Sequence, residues 1–126
     1  MQIKVEIRGL KALQARWAGL PAKVQKMTND ALMRAGYLVE RESKLRTPVA
    51  TGRLRDSISV SSSLALRTQP HVVISPHTEY AIYVHERKAR HTIGDWKFMQ
   101  RGYNAAKDRI REEMQKLLTN LTKEMK

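Results

Sequence analysis

The sequence predicts an α+β fold: a small, mostly antiparallel sheet packed against a long helix, with a long C-terminal helix. Three observations carry this. Residues 1–8 alternate apolar and polar; two long stretches repeat apolar residues every three and four positions; and strands do not alternate regularly with helices. At 126 residues the chain is expected to form one domain, residues 1–126.

In the first segment Ile3, Val5 and Ile7 fall on one face, and Gln2, Lys4, Glu6 and Arg8 on the other. A period of two built from β-branched residues predicts a half-buried strand, ended by Gly9. The period then becomes helical. Leu10, Leu13 and Trp17 form a short stripe, Gly19 and Pro21 interrupt it, and Pro21 suits the first turn of a second helix. In that helix Val24, Met27, Ala31, Leu32, Ala35, Leu38, Val39 and Leu45 make one apolar stripe. Lys23, Lys26, Arg34, Arg41 and Lys44 fall mainly opposite. Thr47-Pro48 stops the helix, because a residue before proline avoids the helical region.

Residues 47–52 are expected to loop, and residues 53–56 to make a single turn. Ser57 to Ser63, with Ile58 and Val60, reads as a second strand, and His71 to Ser75 as a third, ended by Pro76. Residues 79–86 are ambiguous: Tyr80, Ala81, Ile82, Tyr83 and Val84 suit a strand by propensity, yet a short helix also fits. Residues 87–95 are polar and basic and predict an exposed loop. From Trp96 to Lys126, Phe98, Met99, Tyr103, Ala106, Ile110, Met114, Leu117, Leu118, Leu121 and Met125 predict a long helix.

The chain carries 24 Lys and Arg against 12 Asp and Glu, a net charge of +12, which favours acidic or polyanionic surroundings without dictating a fold. The cations are spread along the chain, and the densest group is Arg87-Lys88-Ala89-Arg90-His91. There is no cysteine, so disulfides, cysteine-ligated zinc and thiol catalysis are excluded. No apolar run reaches the length of a membrane span, and the N-terminus lacks a signal-peptide core, so neither export nor anchoring is expected. The hydrophobic fraction of 41% predicts a modest core and makes burial by oligomerisation attractive.

His71, His77, His85 and His91 are six, eight and six residues apart, unlike helical zinc-ligand spacing. His85-Glu86 beside Tyr83 could serve acid–base chemistry, but no nucleophile elbow or phosphate-binding glycine loop accompanies it. No catalytic residue, metal or cofactor is therefore expected. A small basic nucleic-acid-binding module is the alternative to a structural role, with sequence-independent contact through the basic loop.

The segment Lys44 to Ile58, with Thr47, Pro48, Val49, Thr51, Gly52, Leu54, Ser57 and Ile58 in order, resembles the proline–valine–x–threonine–glycine–x–leucine–x–x–serine–isoleucine signature of a tailed-phage morphogenesis family. Its members are tail-completion or minor tail proteins of the head–tail joining module. Tyr80-Ala81-Ile82-Tyr83-Val84-His85-Glu86 is similar to that family's second signature, and Gly9-Leu10-Lys11-Ala12-Leu13 to its opening. Where the family commonly turns on a glycine after the glutamate, this chain has Arg87. The resemblance implies a non-enzymatic virion-assembly protein at the head–tail junction, present in the host cytoplasm during assembly. It implies a self-assembled ring, six-fold, stacked on connector and tail-tube proteins. Arg53, Arg55, Arg87, Lys88 and Arg90 are the candidate contacts to a partner or, non-specifically, to phage DNA; no membrane partner is expected.

Overall fold

The computed structural model describes residues 2–6, 22–49, 52–62, 71–86, 94 and 96–124. The elements are β1 (Ile3–Glu6), α1 (Ala22–Arg46), α2 (Arg53–Ser57), β2 (Ser59–Ser62), β3 (His71–Ser75), α3 (Ala81–Glu86) and α4 (Phe98–Glu124). The α+β prediction holds. The short helix expected around Leu10 to Trp17 lies outside the described residues.

The sheet has the order β1-β3-β2 and is antiparallel throughout. Ile3 pairs with Ile74 and Val5 with Val72, while Val60 faces Ile74 from the other side. Alternation therefore gathers Ile3, Val5, Val60, Val72 and Ile74 on one face. Val72 and Ile74, on the central strand, are fully buried. Lys4, Ser59 and Ser61 fall on the opposite face and are exposed, as period two requires.

The apolar stripe of α1 covers the inner sheet face, with Leu32, Ala35 and Val39 in the same cluster as Val72, Ile74, Phe98 and Met99. Helix α4 runs antiparallel to α1. Ser43, near the end of α1, meets Gly102 at the start of α4. At the other end Val24 and Ala31 pack with Leu117 and Leu121. With 25 and 27 residues, the helices are about 37 and 40 Å long at 1.5 Å per residue, so their distal turns carry a second apolar cluster of their own. Arg34 and Glu113 bridge the pair at 3.0 Å.

Three expectations are corrected. Leu45 was placed in the apolar stripe but is 65% exposed, because it lies on the flank of α1 turned from both the sheet and α4. In α4, Leu118 and Tyr103 are exposed where burial was expected: successive residues are 100° apart on a helix, so Leu117 facing α1 turns Leu118 outward. The second strand begins at Ser59, since the turn before it continues through Ser57 as α2. Residues 81–86, which the sequence leaves open between strand and short helix, are helical.

Candidate functional site

The corner after α1 is built by backbone restriction and two hydroxyls. Thr47 is fully buried, and its Oγ1 donates to the Ser43 carbonyl at 2.6 Å, closing the last turn that Pro48 prevents from continuing. Gly52 sits at φ 82°, in the left-handed region, directly before α2, and its carbonyl accepts from Asp56 N at 2.9 Å. A Cβ there would meet only the ends of the Arg55 and Asp56 side chains, so the need for glycine is conformational rather than steric. We expect Gly52→Val to cost about 1–2 kcal/mol and Gly52→Asn less, because asparagine tolerates this region. Urea midpoints for both variants check this; equal losses would make the requirement one of space.

Leu54 and Ile58 return the chain to the core, at 5% and 1% exposure. Between them Ser57 acts as a pin. Its Oγ donates to the Leu54 carbonyl at 2.7 Å and accepts from His77 N at 3.1 Å. Arg53 also reaches across, with Nη2 3.3 Å from Glu79 Oε2 and its guanidinium 5.7 Å from the Tyr80 ring centre. The two signature segments, far apart in sequence, thus form one continuous surface. Arg55 is half exposed and pairs with Asp56 at 3.2 Å. Of the residues that carry this joint, the sequence weighs His77 only as a metal ligand and does not mark Glu79; His77 contributes its backbone N, which no side-chain pattern encodes.

In α3 the chain divides at helical spacing. Ala81 and His85 face inward, Val84 is half-buried, and Ile82 and Tyr83 are 63% and 60% exposed. His85 is only 6% exposed. Its ring packs edge-on to Phe98 at 5.1 Å, and its carbonyl accepts from Lys97 N at 2.7 Å. Nδ1 lies 2.8 Å from Glu86 Oε1. An ionised carboxylate only accepts, which assigns the proton to Nδ1; among the described residues buried Nε2 has no partner. A shallow groove lies alongside, walled by Gln2, Ile3, His85, Glu86, Met99 and Gln100. Its described lining holds no Ser, Thr, Cys or Lys.

The hydrogen bond from His85 lowers the Glu86 carboxyl below its ordinary value of 4.5, aided by the positive charge of Lys97. A depressed carboxylate adds stability above its unfolded pKa and loses it as pH falls through the folded value. The stability gap between wild type and Glu86→Gln is therefore expected to be full near neutral pH and to close in acid. Urea midpoints across that range test it, and a gap constant with pH would show that the carboxylate charge is idle.

Among the described residues no three His, Cys, Asp or Glu side chains converge as a metal site, and no helix is long and apolar enough to cross a membrane. Thr51, Arg87, Lys88 and Arg90 lie outside the described residues. Gly94, at φ 88°, lies so close to the Thr47–Pro48 peptide that a Cβ would come within 2.5 Å of three backbone atoms. Lys97, itself at φ 53°, is tied to His85. The chain that follows the basic segment, at Gly94, thus lies against the same corner that the first signature builds.

Residues 11–85, more than half the chain, match the family model described as "Bacteriophage HK97-gp10, putative tail-component". The chain belongs to the HK97-gp10-like family. The matched region spans both the corner and α3 up to His85, so the surface joined through Arg53, Ser57, His77 and Tyr80 is a feature of the family-matching part. Membership places the chain among phage tail components and so in the virion. No curated protein and no solved structure matches the chain significantly.

Proposed function

We propose that this tail component acts without enzymatic activity at the head-proximal end of the tail, as a tail-completion or minor tail protein. Copies assemble into a closed ring, six-fold as the sequence resemblance implies, that stacks on connector and tail-tube proteins and helps join the tail to the capsid. The supporting observation is the division of α3. Its inward residues complete the core, whereas Ile82 and Tyr83 stay exposed beside the joint of the two signature segments. A ring requires a head-to-tail interface in which one patch fits a different one, and paired exposed apolar side chains on a rigid short helix suit one half of it.

Sedimentation velocity and negative-stain microscopy of the wild type and of Ile82→Asp and Tyr83→Asp test this. Rings or discrete oligomers are expected for the wild type and monomers for the variants, with unchanged circular dichroism. A wild type that stays monomeric even with its neighbouring tail proteins, or variants that assemble normally, would overturn the reading.

The basic loop belongs to the same proposal. Arg87, Lys88 and Arg90 contact an acidic neighbouring ring or DNA without regard to sequence. Replacing all three with Gln is expected to leave stability within about 0.5 kcal/mol and to lower the yield of joined particles in complementation. Undiminished yield would make the loop a solvated connector. The charge of +12 favours a second reading, a nucleic-acid module, which would bind as a monomer or dimer with a steep salt dependence.

A further inference from the structure

The solvent face of α1 carries a row of cations. At 100° per residue, Lys23, Lys26, Arg34, Tyr37, Arg41 and Lys44 fall within one arc, opposite the buried arc of Val24, Leu32, Ala35 and Val39. Five cations share this face with two acids, Asp30 and Glu40. Glu40 bridges Lys44 at 3.0 Å, and Arg34 bridges Glu113 at 3.0 Å. Such half-exposed pairs hold weakly and exchange readily for another anion. Lys26 and Arg41 are exposed, and between them stands Tyr37, 55% exposed although it is aromatic.

The spacing suits a regular polyanion. From Lys26 to Arg34 the helix rises about 12 Å and from Arg34 to Arg41 about 10.5 Å, close to the ~12 Å width of the major groove that separates phosphate rails. A rod held rigid by the sheet and α4 presents these cations without ordering cost, and the Tyr37 hydroxyl adds a donor between them. An acidic protein surface would demand a particular arrangement of carboxylates; duplex DNA offers phosphates at every step.

We infer that the exposed face of α1 binds the phosphate backbone of double-stranded DNA without sequence preference, whether or not the chain assembles into a ring. The test is fluorescence anisotropy of the full chain with a labelled random-sequence duplex over a salt series. Lys26→Gln/Arg41→Gln is compared with Arg109→Gln/Arg111→Gln on α4, which removes the same charge from two other exposed positions. Losing two phosphate contacts is expected to reduce the slope of log affinity against log salt by about 1.8. The affinity advantage of the wild type over the α1 variant should then shrink by about twelvefold between about 50 and about 200 mM salt. The α4 variant should keep the wild-type slope. Equal losses in the two variants would assign binding to net charge alone. Absence of salt-sensitive binding, or tighter binding to poly-glutamate than to duplex at equal charge, would overturn the inference, the latter in favour of an acidic protein partner. Circular dichroism confirms that both variants are folded.

Discussion

Gly94→Ala is expected to destabilise the fold by about 2–5 kcal/mol, the largest effect of any single methyl considered. Two penalties add. The residue sits at φ 88°, where a Cβ costs about 1–2 kcal/mol. The new carbon would also lie 2.5 Å from Thr47 C, Thr47 O and Pro48 N, all main-chain atoms of a corner held by the Thr47–Ser43 hydrogen bond. Backbone cannot rotate aside as a side chain can, so overpacking of about 1–3 kcal/mol is added. Urea unfolding measures the sum. Because the same contact holds the chain that follows the basic segment against the corner, limited proteolysis between Arg87 and Arg90 should accelerate in this variant even where the rest stays folded. A midpoint within experimental error of the wild type would show that Gly94 does not rest on the corner.

Gly102→Ala sets two effects of opposite sign against each other. Alanine in place of glycine inside a helix favours folding by about 1 kcal/mol. Here the added carbon would meet Ser43 Oγ and lie 2.6 Å from Ser43 Cα and N, where α1 and α4 cross. The helices can accommodate it only by separating, and that loosens Val39, Phe98, Met99 and Ala106 in the core they share. The steric term, about 1–3 kcal/mol, is expected to outweigh the gain, giving a net loss of up to about 2 kcal/mol. A rise in the urea midpoint by the full propensity gain would mean that the crossing is looser than the backbone distances require. Ser43→Gly in the same background should recover part of the loss, because it removes the Oγ that the alanine strikes.

These two glycines mark where sequence reading stops. Gly52 lies in a stretch the sequence already marks as a loop after a proline-stopped helix, and its need is local: φ 82° is a conformation set by its own backbone. Gly102 lies inside an unbroken helical pattern, and Gly94 inside a polar stretch. What each needs is set by a backbone segment roughly fifty residues away, which no local pattern encodes. The same holds for the candidate surface. Thr47, Pro48, Leu54, Ser57 and Ile58 could be read as a helix-to-strand corner from their own chemistry. That Ser57 holds His77 and Arg53 reaches Glu79 and Tyr80 could not, because those partners come from the far side of β3.

By itself the sequence determined the elements whose signal is periodic and long. Alternation over Ile3 to Glu6 made β1, the three-and-four repeat made α1 and α4, and Thr47-Pro48 set where α1 ends; each follows from backbone geometry and needs no distant partner. Tertiary structure alone decided the rest. Residues 81–86, open between strand and short helix in the sequence, became helix because only that period places Ala81 and His85 together in the core while leaving Ile82 and Tyr83 outside. Leu45 and Leu118 are apolar by composition yet exposed, since a helix buries only the arc that a neighbour covers, and which arc is covered depends on how α1, α4 and the sheet pack.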